Sequence, residues 1–123
     1  MIKSYEYIGW DSIAATTAGE LVSDEKNPEN FGVAMVKGKK LVRLVEKPGK
    51  NIGSDLVNAG AYCFSRKIFP ALVATKVSSR GEFEITDSIN ILASKGKAGF
   101  VEYKGKCVDI GSREDLKRAK EKK

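Results

Sequence analysis

Apolar and polar positions alternate with two different periods along this chain, and the clearest strand pattern lies in its middle. Leu41, Val42, Leu44 and Val45 form a β-branched-rich run that stops at Glu46-Lys47-Pro48. Pro48 has no N–H to give to a ladder, so a central strand must end before it. After a polar loop over Gly49 to Asp55, the run Leu56 to Phe64 is apolar except for Asn58 and is interrupted by Gly60, where a missing side chain points to a close approach. Phe31 to Val36 is a further apolar run, separated from Leu41 by Lys37-Gly38-Lys39-Lys40. That spacing predicts a β-hairpin whose glycine supplies the positive φ of the turn. Ile13 to Val22, rich in Ala, Thr and Val, predicts a strand, and the acidic, Pro- and Asn-containing stretch 23–30 predicts the loop that closes it.

Elsewhere the period is helical. Ile2, Tyr5 and Ile8-Gly9 predict a short helix over Met1 to Asp11. Ile68, Phe69, Leu72 and Val73 predict a surface helix within Arg66 to Lys76, with Pro70 tolerated only in its first turn. Ile85, Ile89 and Leu92 predict an amphipathic helix over Glu84 to Lys95 that ends before Gly96. Two short strands are expected at Phe100 to Tyr103 and Cys107 to Ile110. A charged helix then starts at the capping-box-like Ser112-Arg113-Glu114-Asp115. Strands interleaved with helices, without internal repeat, indicate an α/β layered domain; the hairpin makes its sheet mixed and flanked by helices.

Composition narrows the chemistry. The 123 residues suit one domain with one core. Hydrophobic residues are 41% and charged residues 31%, with no run long enough to span a membrane and no leader-like start, so a cytoplasmic protein is expected. The sequence contains no histidine, which excludes Ser-His-Asp and Cys-His catalysis; any metal would be a hard cation held by oxygen. The two cysteines, Cys63 and Cys107, have no CxxC spacing, and Cys63 is expected to be a small core side chain. The net charge of +6 and the tail Lys117, Arg118, Lys120, Lys122 and Lys123 raise nucleic-acid binding. Cations at a helix C-terminus are ordinarily a solvated end favoured by the helix dipole, and no aromatic interleaves them, so no nucleic-acid partner is expected.

What remains is polar residues at strand ends: Glu46 and Lys47 after one strand, Asn58 with Gly60 in the next. Strand ends carrying such groups form ligand sites in many α/β sheets. Alone, Glu46 and Lys47 also fit a solvated strand end, Asn58 a buried turn residue bonding backbone, and Gly32 a strand bulge.

Four motifs in order, Glu46-Lys47-Pro48, Asn58-Ala59-Gly60-Ala61-Tyr62, Arg80-Gly81-Glu82-Phe83-Glu84-Ile85-Thr86-Asp87 and Asp109-Ile110-Gly111-Ser112, resemble those of the sugar-1-phosphate nucleotidylyltransferases, which include glucose-1-phosphate thymidylyl- and uridylyltransferases. The resemblance implies a partial nucleotide-diphospho-sugar transferase (Rossmann-like) fold and transfer of a nucleotidyl group from an NTP to a hexose 1-phosphate. It implies a substrate-binding set of Gly32, Glu46, Lys47, Asn58, Ala59 and Gly60. Glu46 and Asn58 would take sugar hydroxyls, Gly32 would let the backbone approach the sugar, and Lys47, also catalytic, would lie near the phosphate. Asp109 would be a ligand of Mg²⁺ together with a second aspartate upstream. Cys107 stands where the family usually has tryptophan. Glu82, Glu84 and Asp87 read as structural acids beside a helix N-terminus.

The family's Gly-rich motif, GxGxRLxPLT, is not found in this sequence. The expectation is therefore a single domain over 1–123 that corresponds to the sugar-phosphate part of the enzyme and lacks the nucleotide-binding part. By itself it should be inactive, binding an NTP and Mg²⁺ only with that half or a companion polypeptide. The alternative is a non-catalytic sugar-phosphate-binding or scaffold module, self-associating into a homo-oligomer through an open sheet edge.

Overall fold

In the hairpin, β2 (Val33–Lys37) and β3 (Lys40–Val45) are joined by Gly38-Lys39, with Gly38 at φ +60° as the turn requires. The computed structural model describes residues 12–17, 31–103 and 110–121. Among these residues the other strands are β1 (Ser12–Thr17), β4 (Val57–Phe64) and β5 (Ala98–Tyr103), and the helices are α1 (Ile68–Ala74), α2 (Ile85–Ser94) and α3 (Arg113–Glu121). Each predicted element that falls within the described residues is present, with shifted ends, apart from the end of the last strand. The helix expected over 1–11, positions 18–22 of the first expected strand, the loop over 23–30 and positions 107–109 of that last strand lie outside the described residues. Ile110, its last residue, belongs to no strand and is exposed.

The sheet is mixed, as expected. β1 pairs antiparallel with β4 and parallel with β5, while β2 and β3 are antiparallel. Its strands close into a ring in the order β1-β4-β2-β3-β5. Two joints of that ring consist of one registered pair each, Val33↔Val57 and Lys40↔Gly99. Beyond the second joint, the free edge of β3 is met by a side chain. Asn90 of α2 accepts from Leu44 N–H through Oδ1 and donates to Leu44 O through Nδ2, both at 2.8 Å. A side-chain amide thus replaces a neighbouring strand at that point. That part of the β3 edge is covered from within the chain.

One core lies between the strands and α2. Ala34, Leu41, Leu44, Ile89, Ala93 and Ala98 are buried together, with Val36, Leu56, Tyr62 and Phe64 packed on them. Leu41 and Leu44 are three residues apart, which an ideal pleat would send to opposite faces. The register shifts between Met35 and Val36, so that Val42 is an extra residue between the pairs Val36↔Leu41 and Met35↔Arg43. This bulge turns both leucines inward and leaves Val42 half-exposed. Ile68 and Ala71 of α1 pack with Leu92 in a second small cluster.

One sequence expectation about facing is corrected. Cys63 is exposed rather than a core residue, because Tyr62 and Phe64 on either side of it in β4 turn to the core and alternation sends Cys63 to the other face. α1 is a surface helix with Pro70 in its first turn, as expected: Phe69, Leu72 and Val73 are exposed, and the stripe that docks on α2 is Ile68 and Ala71. Behind it, Thr75 Oγ1 donates to Ala71 O at 2.7 Å, and having spent its proton there it accepts from Ser88 Oγ at 2.6 Å, which satisfies both buried hydroxyls.

The ends of the last two helices follow their local signals. After α2, Gly96 at φ +68° lets Gly96 N–H reach Ala93 O and Lys97 N–H reach Leu92 O, a Schellman closure. Ser112 Oγ accepts from Asp115 N–H at 3.1 Å and donates to Asp115 Oδ2 at 2.7 Å, capping α3. None of the α3 residues is buried.

Candidate functional site

Register brings three of the predicted residues together. Val33 pairs with Val45 on one side and with Val57 on the other. Both pairings are antiparallel, so the residue before Val33 must sit between the residue after Val45 and the residue after Val57. These are Gly32, Glu46 and Asn58. Asn58 N–H donates to Gly32 O at 2.7 Å, and Lys47 N–H donates to Phe31 O at 3.1 Å, which continues both ladders past the strand ends. A Cβ placed on Gly32 would lie 3.1 Å from Glu46 Oε2, 3.2 Å from Asn58 Cβ and 3.5 Å from Asn58 Nδ2. Gly32 is therefore bare because the carboxylate and the amide occupy its flanks. The β2 to β3 irregularity lies at Met35 and Val36 rather than at Gly32, so the bulge reading of this glycine is set aside.

A second irregularity shapes the Asn58 side. Between the pairs Ala14↔Tyr62 and Thr16↔Asn58, β4 spends Ala59, Gly60 and Ala61 against the single residue Ala15. Gly60, at φ +73°, turns the chain through this bulge, and no atom of the described residues outside its chain neighbours stands within 4 Å of the place its Cβ would take. Its backbone conformation, rather than any close approach within the protein, requires glycine there. In a flat strand, residues four apart would be about 13 Å apart. Here Asn58 Nδ2 donates to Tyr62 Oη at 2.6 Å while Asn58 Oδ1 accepts from Gly60 N–H at 3.1 Å. Tyr62 stacks on Phe64 with ring centroids 5.7 Å apart. Burial pushes the Tyr62 phenol above its ordinary pKa; the bond from Asn58 opposes this and the nearby Glu46 charge adds to it.

Lys47 follows Glu46 with φ +39°, a left-handed conformation that L side chains rarely take, and its side chain is exposed. A strained non-glycine backbone beside a cluster of polar groups is typical of functional positions. The loop behind it is pinned to β2, since Ala34 N–H donates to Leu56 O and Ser54 Oγ donates to Ala34 O. A cavity of about 380 Å³ lies under this loop, lined by Val33, Lys50, Asn51, Ile52, Gly53, Ser54 and Asp55. None of Gly32, Glu46, Lys47, Asn58, Ala59 or Gly60 lines it, so the polar cluster, whose groups converge, is taken as the site in preference to the cavity.

The remaining predicted residues are elsewhere. Asp109 and Cys107 lie outside the described residues. Among the described residues, no group of three or more Cys, Asp or Glu side chains is placed to hold a metal ion. Glu84 is held by Arg80 at 3.4 Å and by Ser78 Oγ at 3.3 Å, and Glu82 lies 3.7 Å from Arg80, in keeping with structural roles for both acids. Tyr62 is the residue that the sequence reading left out of the site. Its signal was a glycine midway between an asparagine and a tyrosine four residues on, a spacing that permits a bulge to join them.

A carboxylate, an amide and a phenol around a bare glycine can accept and donate to neighbouring hydroxyls on one ligand face, with an ammonium at the rim for an anion. Comparison with known proteins identifies the family of the chain. A family model described as nucleotidyl transferase matches residues 11–123. The chain is 41% identical over 99 residues to the bifunctional protein GlmU of Methanocaldococcus jannaschii, covering 80% of this chain and 24% of that protein. It is 38% identical over 86 residues to the bifunctional sugar-1-phosphate nucleotidylyltransferase/acetyltransferase of Sulfurisphaera tokodaii, covering 69% of this chain and 21% of that one. A UDP-glucose pyrophosphorylase solved with UDP-glucose superposes with a TM-score of 0.75 and 25% identity, over 97% of this chain and 45% of its own. The chain thus spans about a quarter of the length of these curated relatives and under half of that solved structure. Its motifs, its fold and these similarities agree: the chain belongs to the nucleotidyl transferase family.

Proposed function

We propose that this chain is the sugar-phosphate-binding part of an enzyme that transfers a nucleotidyl group from an NTP to a hexose 1-phosphate, giving an NDP-sugar and pyrophosphate. The observation that carries the reading is the convergence of Glu46 Oε2 and the Asn58 amide on the bare flanks of Gly32. Glu46 accepts from sugar hydroxyls, and Asn58, with Ala59 and Gly60 behind it, holds a further one. Lys47 stands by the phosphate and offsets its charge. In the reaction a phosphate oxygen of the sugar attacks the NTP α-phosphorus in line and pyrophosphate leaves. The contribution of these residues is orientation and charge neutralisation, without a covalent intermediate.

Mg²⁺ would neutralise charge on the phosphates. Glu46 is the one carboxylate of the described cluster and is assigned to the sugar, and a single carboxylate binds this ion weakly. Asp109, with an acid from another segment, would be needed to hold it. Among the described residues no helix is long and apolar enough to cross a membrane.

The test is titration of the 123-residue chain with glucose 1-phosphate, followed by chemical-shift changes at Gly32, Glu46 and Asn58. Binding should saturate, and Glu46→Gln should weaken it about tenfold or more, as expected for a bond to a charged acceptor. Shifts confined to the loop 50–55, or an unchanged affinity in Glu46→Gln, would refute the assignment. NTP turnover is expected only when a polypeptide carrying the GxGxRLxPLT motif is supplied.

A further inference from the structure

Asn58 can serve a ligand only if its amide faces the right way round. An asparagine side chain is nearly symmetric in shape, and free rotation about its last bond would present oxygen or nitrogen to a ligand with little preference. Two bonds remove that freedom here. Gly60 N–H can be accepted only by Oδ1, at 3.1 Å, and this leaves Nδ2 directed at Tyr62 Oη, at 2.6 Å. The first bond comes from the backbone of the bulge. The second depends on a side chain and fixes the nitrogen. Tyr62 is itself held, with its ring stacked on Phe64 and packed against the core cluster.

We propose that Tyr62 is a positioning residue for hexose 1-phosphate recognition, acting through Asn58. Its hydroxyl takes one Nδ2 hydrogen, so that the other Nδ2 hydrogen and the free lone pair of Oδ1 are presented to the sugar in a set orientation. Glu46, whose charge reaches the Tyr62 phenol, belongs to the same group of side chains. The inference rests on the sugar-phosphate reading above, and its test separates the two.

The first measurement needs no ligand. In the wild-type chain the Asn58 side-chain amide protons should exchange with solvent more slowly than those of the exposed Asn51, and Tyr62→Phe should bring them to the Asn51 rate while the ring stack is kept. Equal rates in the wild-type chain, or no change in Tyr62→Phe, would overturn the positioning role. The second measurement is a double-mutant cycle on glucose 1-phosphate affinity. Tyr62→Phe should weaken binding about tenfold, the scale of one lost hydrogen bond that orders a ligand-contacting group. In the Asn58→Ala background the same change should have no further effect. An equal loss in both backgrounds would mean that Tyr62 acts by packing or on the ligand directly, which overturns the proposal. If the wild-type chain binds no glucose 1-phosphate, the functional reading falls and the recognition role of Tyr62 falls with it. The exchange rates still decide whether Tyr62 orients the amide.

Discussion

Replacing Asn90 by alanine removes both bonds that seal the β3 edge at Leu44. Each is 2.8 Å long, and Leu44 is 2% exposed, so its N–H and C=O lose the partner that the described residues give them on that side. A buried polar group stripped of its bond costs about 1–3 kcal/mol. Because Asn90 is half-buried, water can reach the vacated space and the lower half of that range applies to each group. Alanine returns roughly 0.5 kcal/mol through its better helix propensity at this position in α2. The expected net loss is about 2 kcal/mol, which for a chain of this size lowers the Tm by roughly 8 °C. Urea unfolding followed by circular dichroism should show a lower midpoint with an unchanged slope. Asn90→Asp sharpens the test. Its carboxylate still accepts from Leu44 N–H but has no proton for Leu44 O; once protonated it can donate again. The folded state therefore favours its protonated form and raises its pKa, so its deficit relative to wild type should shrink as pH falls through that raised value and be smallest below the ordinary value of about 4. A loss under about 0.5 kcal/mol in Asn90→Ala, the range of an ordinary surface change, would refute the view that this amide replaces a strand.

Gly32→Ala should weaken glucose 1-phosphate binding more than tenfold while costing only about 1 kcal/mol of stability, since Glu46 Oε2 can swing away but Asn58 Cβ is tied to its strand; affinity equal to wild type in a titration would show that this flank is not used. Lys47→Gly should be nearly neutral in urea unfolding, within about 0.5 kcal/mol, because relief of the left-handed backbone offsets the added freedom of the unfolded chain. The same change should cost phosphate affinity, and a stability loss above about 1 kcal/mol would contradict the assigned backbone. The Tyr62 phenol has its pKa raised in the folded protein, so its contribution is full below the ordinary tyrosine value of about 10 and is lost as pH rises through the folded value. The urea midpoint should fall more steeply above pH 10 in wild type than in Tyr62→Phe, the difference isolating this residue from the other three of the four tyrosines.

Elements whose signals are local were legible in the sequence. Gly38 between two apolar runs specified the hairpin, Gly96 the end of α2, and Ser112 the start of α3, because a turn or a cap depends on backbone angles and hydrogen bonds within a few residues. The motif residues Glu46, Lys47, Asn58 and Gly60 were also recognisable, as polar groups at strand ends and as a family pattern. What only the tertiary structure decided was which of them meet. Gly32 lies between Glu46 and Asn58 because Val33 pairs with Val45 and Val57 at once, a register that no local spacing encodes. Leu41 and Leu44 share a face, and Tyr62 reaches Asn58, because bulges reset the two-residue alternation on which strand reading relies. Cys63 was misjudged for a related reason. An apolar side chain records a preference for burial, but the face that is buried is chosen by the element that docks, here the core under β4.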